Sequence, residues 1–296
     1  MPKTIHRCFD QLFMSISLRF ISLVFMVLMV SGCTLKMTYN VLDWLIPYYA
    51  YDYIDLDSQQ EKRFEQGVVL VLAQHRKVGL DEIINEVTLL KEEAVSPLGY
   101  GQISKFHRRF TALGQRQAAM FTPIVVDTLQ SMSTEQIAAM NDAIKEKLDD
   151  VVEERADLDD NQKLVKRVKR LNKIAKRWVG NLDSAQKAML EEMAGYQLEL
   201  EPILIENQDA LFSEWLTLTS SRADEGFEQI VASYLNRFMA LEYEPKQSEI
   251  NRYLARRFEL LWRLNQSLTD KQRSHFQQEL TEIIDTLTDL RGENES

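Results

Sequence analysis

Hydrophobic residues recur at intervals of three and four along almost the whole chain, as in Phe64, Val68, Val71 and Leu72, or in Phe227, Ile230, Val231, Tyr234, Leu235 and Phe238. That period lays them along one face of a 3.6-residue helix. No stretch alternates at period two between turn signals, so no strand is expected. The pattern predicts helices over 36–50, 58–94 with a break at Gly79, 101–130 with a bend at Pro123, 133–156, 162–180, 183–200, 202–221, 224–241, 246–267 and 270–291. The 10 Gly and 6 Pro fall mostly at the proposed joints, among them Ser96-Pro97, Gly180, Glu201-Pro202 and Glu244-Pro245, where they punctuate rather than interrupt. The fold class that follows is all-α: an elongated multi-helix bundle of about nine or ten helices, without a sheet. A helical domain over 58–291, with a possible subdivision near 181, would end in a polar, frayed tail at 292–296.

One short pattern occurs four times. Leu56-Asp57-Ser58-Gln59-Gln60, Met132-Ser133-Thr134-Glu135-Gln136, Leu182-Asp183-Ser184-Ala185-Gln186 and Leu268-Thr269-Asp270-Lys271-Gln272 each combine an apolar residue, a capping residue and a Gln three positions on. An Asp, Ser or Thr at N-cap accepts from the N3 amide while the N3 Gln reaches back, so each motif is expected to start a helix as a capping box. The same pattern resembles the Leu-Thr-x-x-Gln repeats of the small periplasmic helical chaperones of the Spy and CpxP type. Its spacings of 76, 50 and 86 residues are too uneven for a solenoid.

The beginning of the chain has a different character. Arg19 precedes an apolar run of 11 residues, Phe20 to Val30, which leads into Ser31-Gly32-Cys33. The run suits a signal-peptide core and falls short of the ~20 residues a membrane span needs. Val30-Ser31-Gly32-Cys33 resembles the lipobox of bacterial lipoproteins. The resemblance implies a leader at 1–32, cleavage between Gly32 and Cys33, and a lipid on the Cys33 thiol; an uncleaved membrane helix and a start at Met14 are the alternatives. Thr34 follows the cysteine, and a residue other than Asp there implies, by the same resemblance, an outer-membrane address facing the periplasm.

Charge and cysteine count narrow the chemistry. Removing Lys3, Arg7, Arg19 and Asp10 with the leader leaves 32 basic against 44 acidic residues, a formal charge of −12. Such a surface disfavours non-specific binding to nucleic acid or to anionic membrane by the body as a whole. Cys8 and Cys33 are the two cysteines, so a lipidated mature chain has neither a disulfide nor a thiolate metal site nor a cysteine nucleophile. Core packing must therefore hold the fold.

Against that acidic background one helix is strongly basic. Between Asn161 and Asn181 there is no acid, while Lys163, Lys166, Arg167, Lys169, Arg170, Lys173, Lys176 and Arg177 accompany Leu164, Val168, Leu171, Ala175 and Trp178. One expectation is a cationic amphipathic face for anionic lipid, lipopolysaccharide phosphates or an acidic partner. The other, which we favour on sequence, is internal pairing. Asp142, Glu146, Asp149, Asp150, Glu153, Glu154, Asp157, Asp159 and Asp160 precede the basic run, and an antiparallel hairpin would set the two blocks against each other.

The segment 33–57 is aromatic, with Tyr39, Trp44, Tyr48, Tyr49, Tyr51 and Tyr53. These rings suit either a membrane headgroup region or an ordinary core. Asp43, Asp52, Asp55 and Asp57 lie among them without the loop glycine of a calcium site. His75, His107 and His275 form no metal-binding spacing, and neither a Gly-x-Ser-x-Gly elbow nor a phosphate-binding glycine loop occurs. No enzyme activity, cofactor or metal is expected.

Larger groups of residues carry a further likeness. Tyr39-Asn40-x-Leu42-Asp43-Trp44-Leu45, Asp52-Tyr53-Ile54-Asp55-Leu56 with Gln60, His75-Arg76, and the Arg167, Arg170, Arg177-Trp178, Gly180, Leu182 run resemble an uncharacterised family of Gram-negative lipoproteins defined as a domain of unknown function. The resemblance implies a helical envelope lipoprotein with no assigned activity, and a motif surface of Asn40, Asp43, Trp44, Asp52, Tyr53, Asp55, His75 and Arg76. Lys169 and Lys173 stand where more Arg is expected, which weakens planar, bidentate phosphate recognition. The functional expectation is a non-enzymatic binding or scaffold protein held at the membrane by its lipid, with an envelope protein or lipid as partner. A chaperone-like holdase is the alternative, and an enzyme with dispersed site residues a second.

Overall fold

The structure, a computed structural model, describes residues 32–292, with side chains from Leu35 onward. Residues 1–31 of the expected leader and the thiol of Cys33 lie outside what is described, as do residues 293–296 of the expected tail. Among the described residues every regular element is helical and no strand occurs, as the periodicity predicts.

In chain order the α-helices are α1 (Gly32–Tyr39), α2 (Leu42–Ala50), α3 (Ser58–Gln74), α4 (Leu80–Glu93), α5 (Tyr100–Ala119), α6 (Thr122–Ser131), α7 (Thr134–Ala156), α8 (Asp160–Val179), α9 (Ser184–Ser220), α10 (Phe227–Met239), α11 (Gln247–Gln266) and α12 (Asp270–Gly292). Several joints differ from expectation: the single helix expected over 36–50 is two, α1 and α2, and the bend expected at Pro123 is a break between α5 and α6. The break at Gly79 is a π-helical turn, His75–Gly79, in which the Leu80 N–H donates to the His75 carbonyl and the chain runs on into α4. A Cβ on Gly79 would meet Gln117 Oε1 at 2.5 Å and His75 Cδ2 at 2.7 Å, so glycine permits the close approach of α5. At Pro202 no new helix begins. Instead α9 runs unbroken for 37 residues through the proline. An internal proline forfeits one helical hydrogen bond, and burial on both sides of it, by Leu200, Glu201, Leu204 and Leu211, outweighs that loss.

The core is a series of linked apolar clusters. One joins Leu35 and Tyr39 of α1, Leu80 and Val87 of α4, Trp178 and Val179 of α8, and Leu280, Ile283, Leu287 and Leu290 of α12. Residues before and after position 181 thus share a core. A second joins Leu56 to Leu129, Met140, Leu218, Phe227 and Val231. Each fully buried side chain of this kind contributes roughly 1.5–3 kcal/mol.

All four predicted capping boxes form. Asp57, Ser133 and Asp183 accept from the amides of Gln60, Gln136 and Gln186, and the Gln272 amide donates to Thr269 Oγ1 at 3.3 Å. The glutamines also pair with one another. Gln60 and Gln136 exchange amide hydrogen bonds of 3.2 and 2.8 Å, and Gln186 and Gln272 do so at 3.0 and 2.8 Å. Each remaining amide hydrogen reaches the carbonyl two residues before its partner's N-cap: Gln60 to Ser131, Gln136 to Asp55, Gln186 to Ser267 and Gln272 to Asn181. The N-termini of α3 and α7 are thereby tied together, and likewise those of α9 and α12.

Gln186 is fully buried and Gln272 nearly so, so truncating one strands the other's polar atoms. Gln186→Ala and Gln272→Ala should each destabilise by about 1–3 kcal/mol. The double variant should cost clearly less than the sum, with a coupling of about 0.5–3 kcal/mol in chemical denaturation. Additive losses would show that the two amides do not act as a unit.

Candidate functional site

Two regions draw the sequence-nominated residues together. The first surrounds the π turn. Packing of α1 against this turn brings the Tyr39 hydroxyl to 2.8 Å from His75 Nδ1, with the Arg76 guanidinium 5.0 Å from the Tyr39 ring centroid. Arg76 donates to Asn40 Oδ1 at 3.1 Å and to the Leu290 carbonyl at 3.4 Å. Gln117 lies beneath, donating to Glu82 Oε2 at 3.0 Å, and Arg116 Nε reaches the same oxygen at 2.9 Å. Burial raises Tyr39 to about 12 despite the nearby Arg76 charge. Burial likewise depresses His75 to about 4, against the opposing pull of Glu82. A neutral imidazole held by a phenol, with its Arg neighbour bonded to the Asn40 side chain and the Leu290 carbonyl, is a device for fixing helices. It offers no activated nucleophile.

The other motif residues do not join this node. Asp43 accepts from the Trp44 amide at 3.0 Å, the Asp55 carbonyl receives Gln136, and Asp52 is exposed. Among the described residues no group of three His, Cys, Asp or Glu side chains could hold a metal ion. No described helix is long and apolar enough to cross a membrane. The aromatic segment divides: Tyr39 is buried, whereas Trp44 and Tyr48 are exposed and stack at 5.1 Å.

The second region is α8, and here the favoured sequence expectation fails. The acidic 142–160 block does not form the seam for the basic helix. After the turn at 157–159, α8 lies along α9 and α12, and its ion pairs go to those helices. Glu201 takes Lys163 at 3.2 Å and also Arg167, and Arg177 faces Glu279 at 3.6 Å. Glu201 is buried. Burial pushes its carboxyl up, but Arg167 and Lys163 outweigh that and hold it below the usual carboxylate range. The hairpin expectation failed because adjacency in sequence matched the charges, whereas the apolar stripe of α8 decided which helices it packs on. Glu201 was legible as an outlier, an acid between Leu200 and Leu204 on the buried side of α9.

The basic set therefore splits. Lys163, Arg167 and Arg177 turn inward, while Lys166, Lys169, Arg170, Lys173 and Lys176 are exposed. Their spacing of three or four residues makes one strip along α8. At its C-terminal end the strip opens on a cleft of about 490 Å³ lined by Asn172, Lys173, Lys176, Asn181, Leu182 and Lys187. Lys187, from α9, had no sequence signal.

Residues 52–245 match a protein family of unknown function (DUF6279), and the chain belongs to that family. The matched stretch includes the π turn and the basic helix and leaves out Tyr39 to Leu45. No curated protein and no solved structure matches the chain.

The depressed histidines give the site a pH signature. His107, beside Phe258 at 5.0 Å, is also lowered to about 4 by burial, reinforced by Arg257 and Arg108. Below the ordinary value of 6.5 the unfolded chain binds protons that these folded imidazoles refuse. Stability should therefore fall as pH drops from 7 towards 4 and level off, for these groups, below about 4. Carboxylates titrate mainly below pH ~5, so the histidines dominate between 7 and 5. Replacing His75 and His107 by Gln should flatten the thermal midpoint over that range; an unchanged slope would mean that other groups carry it.

Proposed function

We propose that this protein is a non-enzymatic, lipid-tethered binding protein of the bacterial envelope, anchored in the outer membrane through Cys33 and facing the periplasm. On this reading it uses the lysine strip of α8 to hold phosphate-bearing anions of the membrane. The observation that carries the binding part is the split of α8 charges: Lys166, Lys169, Lys173 and Lys176 are exposed with no acidic partner among the described residues, beside three basic residues that have one. A protein whose formal charge is −10 gathers cations on one face only at a cost in self-repulsion, which an external anion offsets. Lysines suit this task as point charges on flexible stems, in contrast to the planar fork of arginine. The tether rests on the lipobox resemblance of Val30-Ser31-Gly32-Cys33.

The holdase alternative has less behind it. The four glutamines of the Leu-Thr-x-x-Gln pattern spend their amides on caps and on each other.

Two tests follow. Cys33→Ala should abolish palmitate labelling and leave the protein either periplasmic or held by an uncleaved leader; retained labelling would refute the tether. Replacing Lys166, Lys169, Lys173 and Lys176 together by Gln should leave the melting temperature unchanged and abolish salt-sensitive binding to vesicles containing phosphatidylglycerol or lipopolysaccharide. Arg167→Gln should do the reverse, lowering stability by about 1–3 kcal/mol because Glu201 loses its main partner. A quadruple variant that binds like its parent would remove the strip from the reading.

A further inference from the structure

Resting on the tethered reading above, we infer that α1 and α2 form a second, apolar membrane-contact face that lies in the headgroup region of the bilayer beside the lipid. Met37, Val41, Trp44 and Tyr48 are 72%, 45%, 62% and 42% exposed. Trp44 and Tyr48, four apart, share one side of α2, and Met37 and Val41 precede them in α1 and the turn at helix-like intervals of four and three. A tight turn at Asn40 and Val41 separates α1 from α2, with the Val41 amide donating to the Thr38 carbonyl at 3.3 Å and the Trp44 amide to the Val41 carbonyl at 3.2 Å. The opposite side is committed to the core, with Leu35 and Tyr39 buried in one cluster and Ile46 packed against Val68, Val71 and Ile124 in another. The stripe can therefore neither rotate inward nor be covered by the fold.

Three observations select a bilayer as the occupant. Cys33, the tether, lies four positions before Met37 in the sequence, so the acyl chains would hold the start of the stripe close to the membrane. The outer half of the stripe is a stacked Trp44–Tyr48 pair, ring centroids 5.1 Å apart. These are the side chains whose apolar bodies and polar tips are both satisfied at the membrane–water boundary. The stripe is also small, about 16 Å long at a rise of 1.5 Å per residue, and four side chains fall short of the 1,200 Å² or so that a stable protein interface buries. A tethered surface needs no such area, because the lipid already holds it at high effective concentration. Asp43 borders the stripe and is exposed, so attraction to anionic headgroups is not the force; burial of apolar surface is.

Spin labels read this directly. With Cys8 and Cys33 the only cysteines, a processed and lipidated chain takes no thiol label, and an introduced cysteine takes all of it. The full chain, purified from membranes and placed in phosphatidylethanolamine vesicles, would carry Val41→Cys, Trp44→Cys or Tyr48→Cys. Asp43→Cys and Val95→Cys, the latter at a position 63% exposed on another part of the surface, serve as controls. At 41, 44 and 48 the label should meet dissolved oxygen more readily than a water-soluble nickel chelate, with the preference reversed at 43 and 95, and high salt should leave it unchanged. Water-like labels at the three stripe positions, in a chain whose parent takes no label, would overturn the face and spare the tether. Dipolar broadening between copies labelled at the same position would overturn it in favour of self-association. A parent that labels at Cys33 would remove the tether, and the face with it.

Discussion

The paired amides of Gln186 and Gln272 fix the frame on which everything else is mounted. A glutamine amide has an oxygen with two lone pairs and a nitrogen with two hydrogens, and here each has a partner. Gln186 Oε1 receives its own N-cap amide and the Gln272 amide nitrogen, while its nitrogen supplies Gln272 Oε1 and the Ser267 carbonyl. Gln272 mirrors this with Thr269 and Asn181. A capping residue that served only its own helix would leave half of this capacity unmet in a dry site, where an unmet polar group costs about 1–3 kcal/mol. Sharing the amide between two caps removes that cost, and forces the starts of α9 and α12 to stay within hydrogen-bonding reach.

That constraint determines where α8 can go. Its last turn ends at Gly180, whose φ of 77° lies in the left-handed region, and the Asn181 carbonyl is already claimed by Gln272. The helix must therefore leave the paired caps alongside α9 and α12. Trp178 enters the core against Phe276 at 5.8 Å, and Glu201 on α9 meets Lys163 and Arg167. The acidic block of α7 is left to solvent and to local pairs such as Lys145 with Asp149. Charge pairing follows packing here, as expected when exposed ion pairs contribute 0–1 kcal/mol and a buried aromatic several times that.

What was legible in the sequence was local. The helices and the four capping boxes depend on residues within four positions of one another, and period and N-cap chemistry locate them. The amide pairs join residues 76 and 86 positions apart, and no spacing rule connects them, although the repetition of the motif hinted at a common role. The type of joint at Gly79 was hidden for a similar reason: the glycine is required because a Cβ there would run into Gln117, 38 residues away, as well as into His75. Pro202 looked like a boundary because propensity is read along the chain, whereas burial of Leu200 and Leu204 is set across it. The α8 strip was legible as a basic run, but its division into inward and outward charges required knowing where Glu201 and Glu279 stand.

Both proposed contact surfaces are carried by one helix. Lys36 of α1 reaches Asp289 near the end of α12 at 3.9 Å, and Arg177 of α8 reaches Glu279, with its carbonyl 2.8 Å from His275 Nε2. Ten residues of helix, about 15 Å, separate these attachments, and Leu280, Ile283, Leu287 and Leu290 bury the intervening face against α1, α4 and α8. A rigid spacer of that kind leaves little freedom between the apolar stripe and the lysine strip. If α1 and α2 lie flat at the tethered end, the height of the lysines above the membrane is set by the register of α12. The cap at Thr269 and Gln272 sets where α12 begins, so the buried amide pair would fix what the cationic strip can reach.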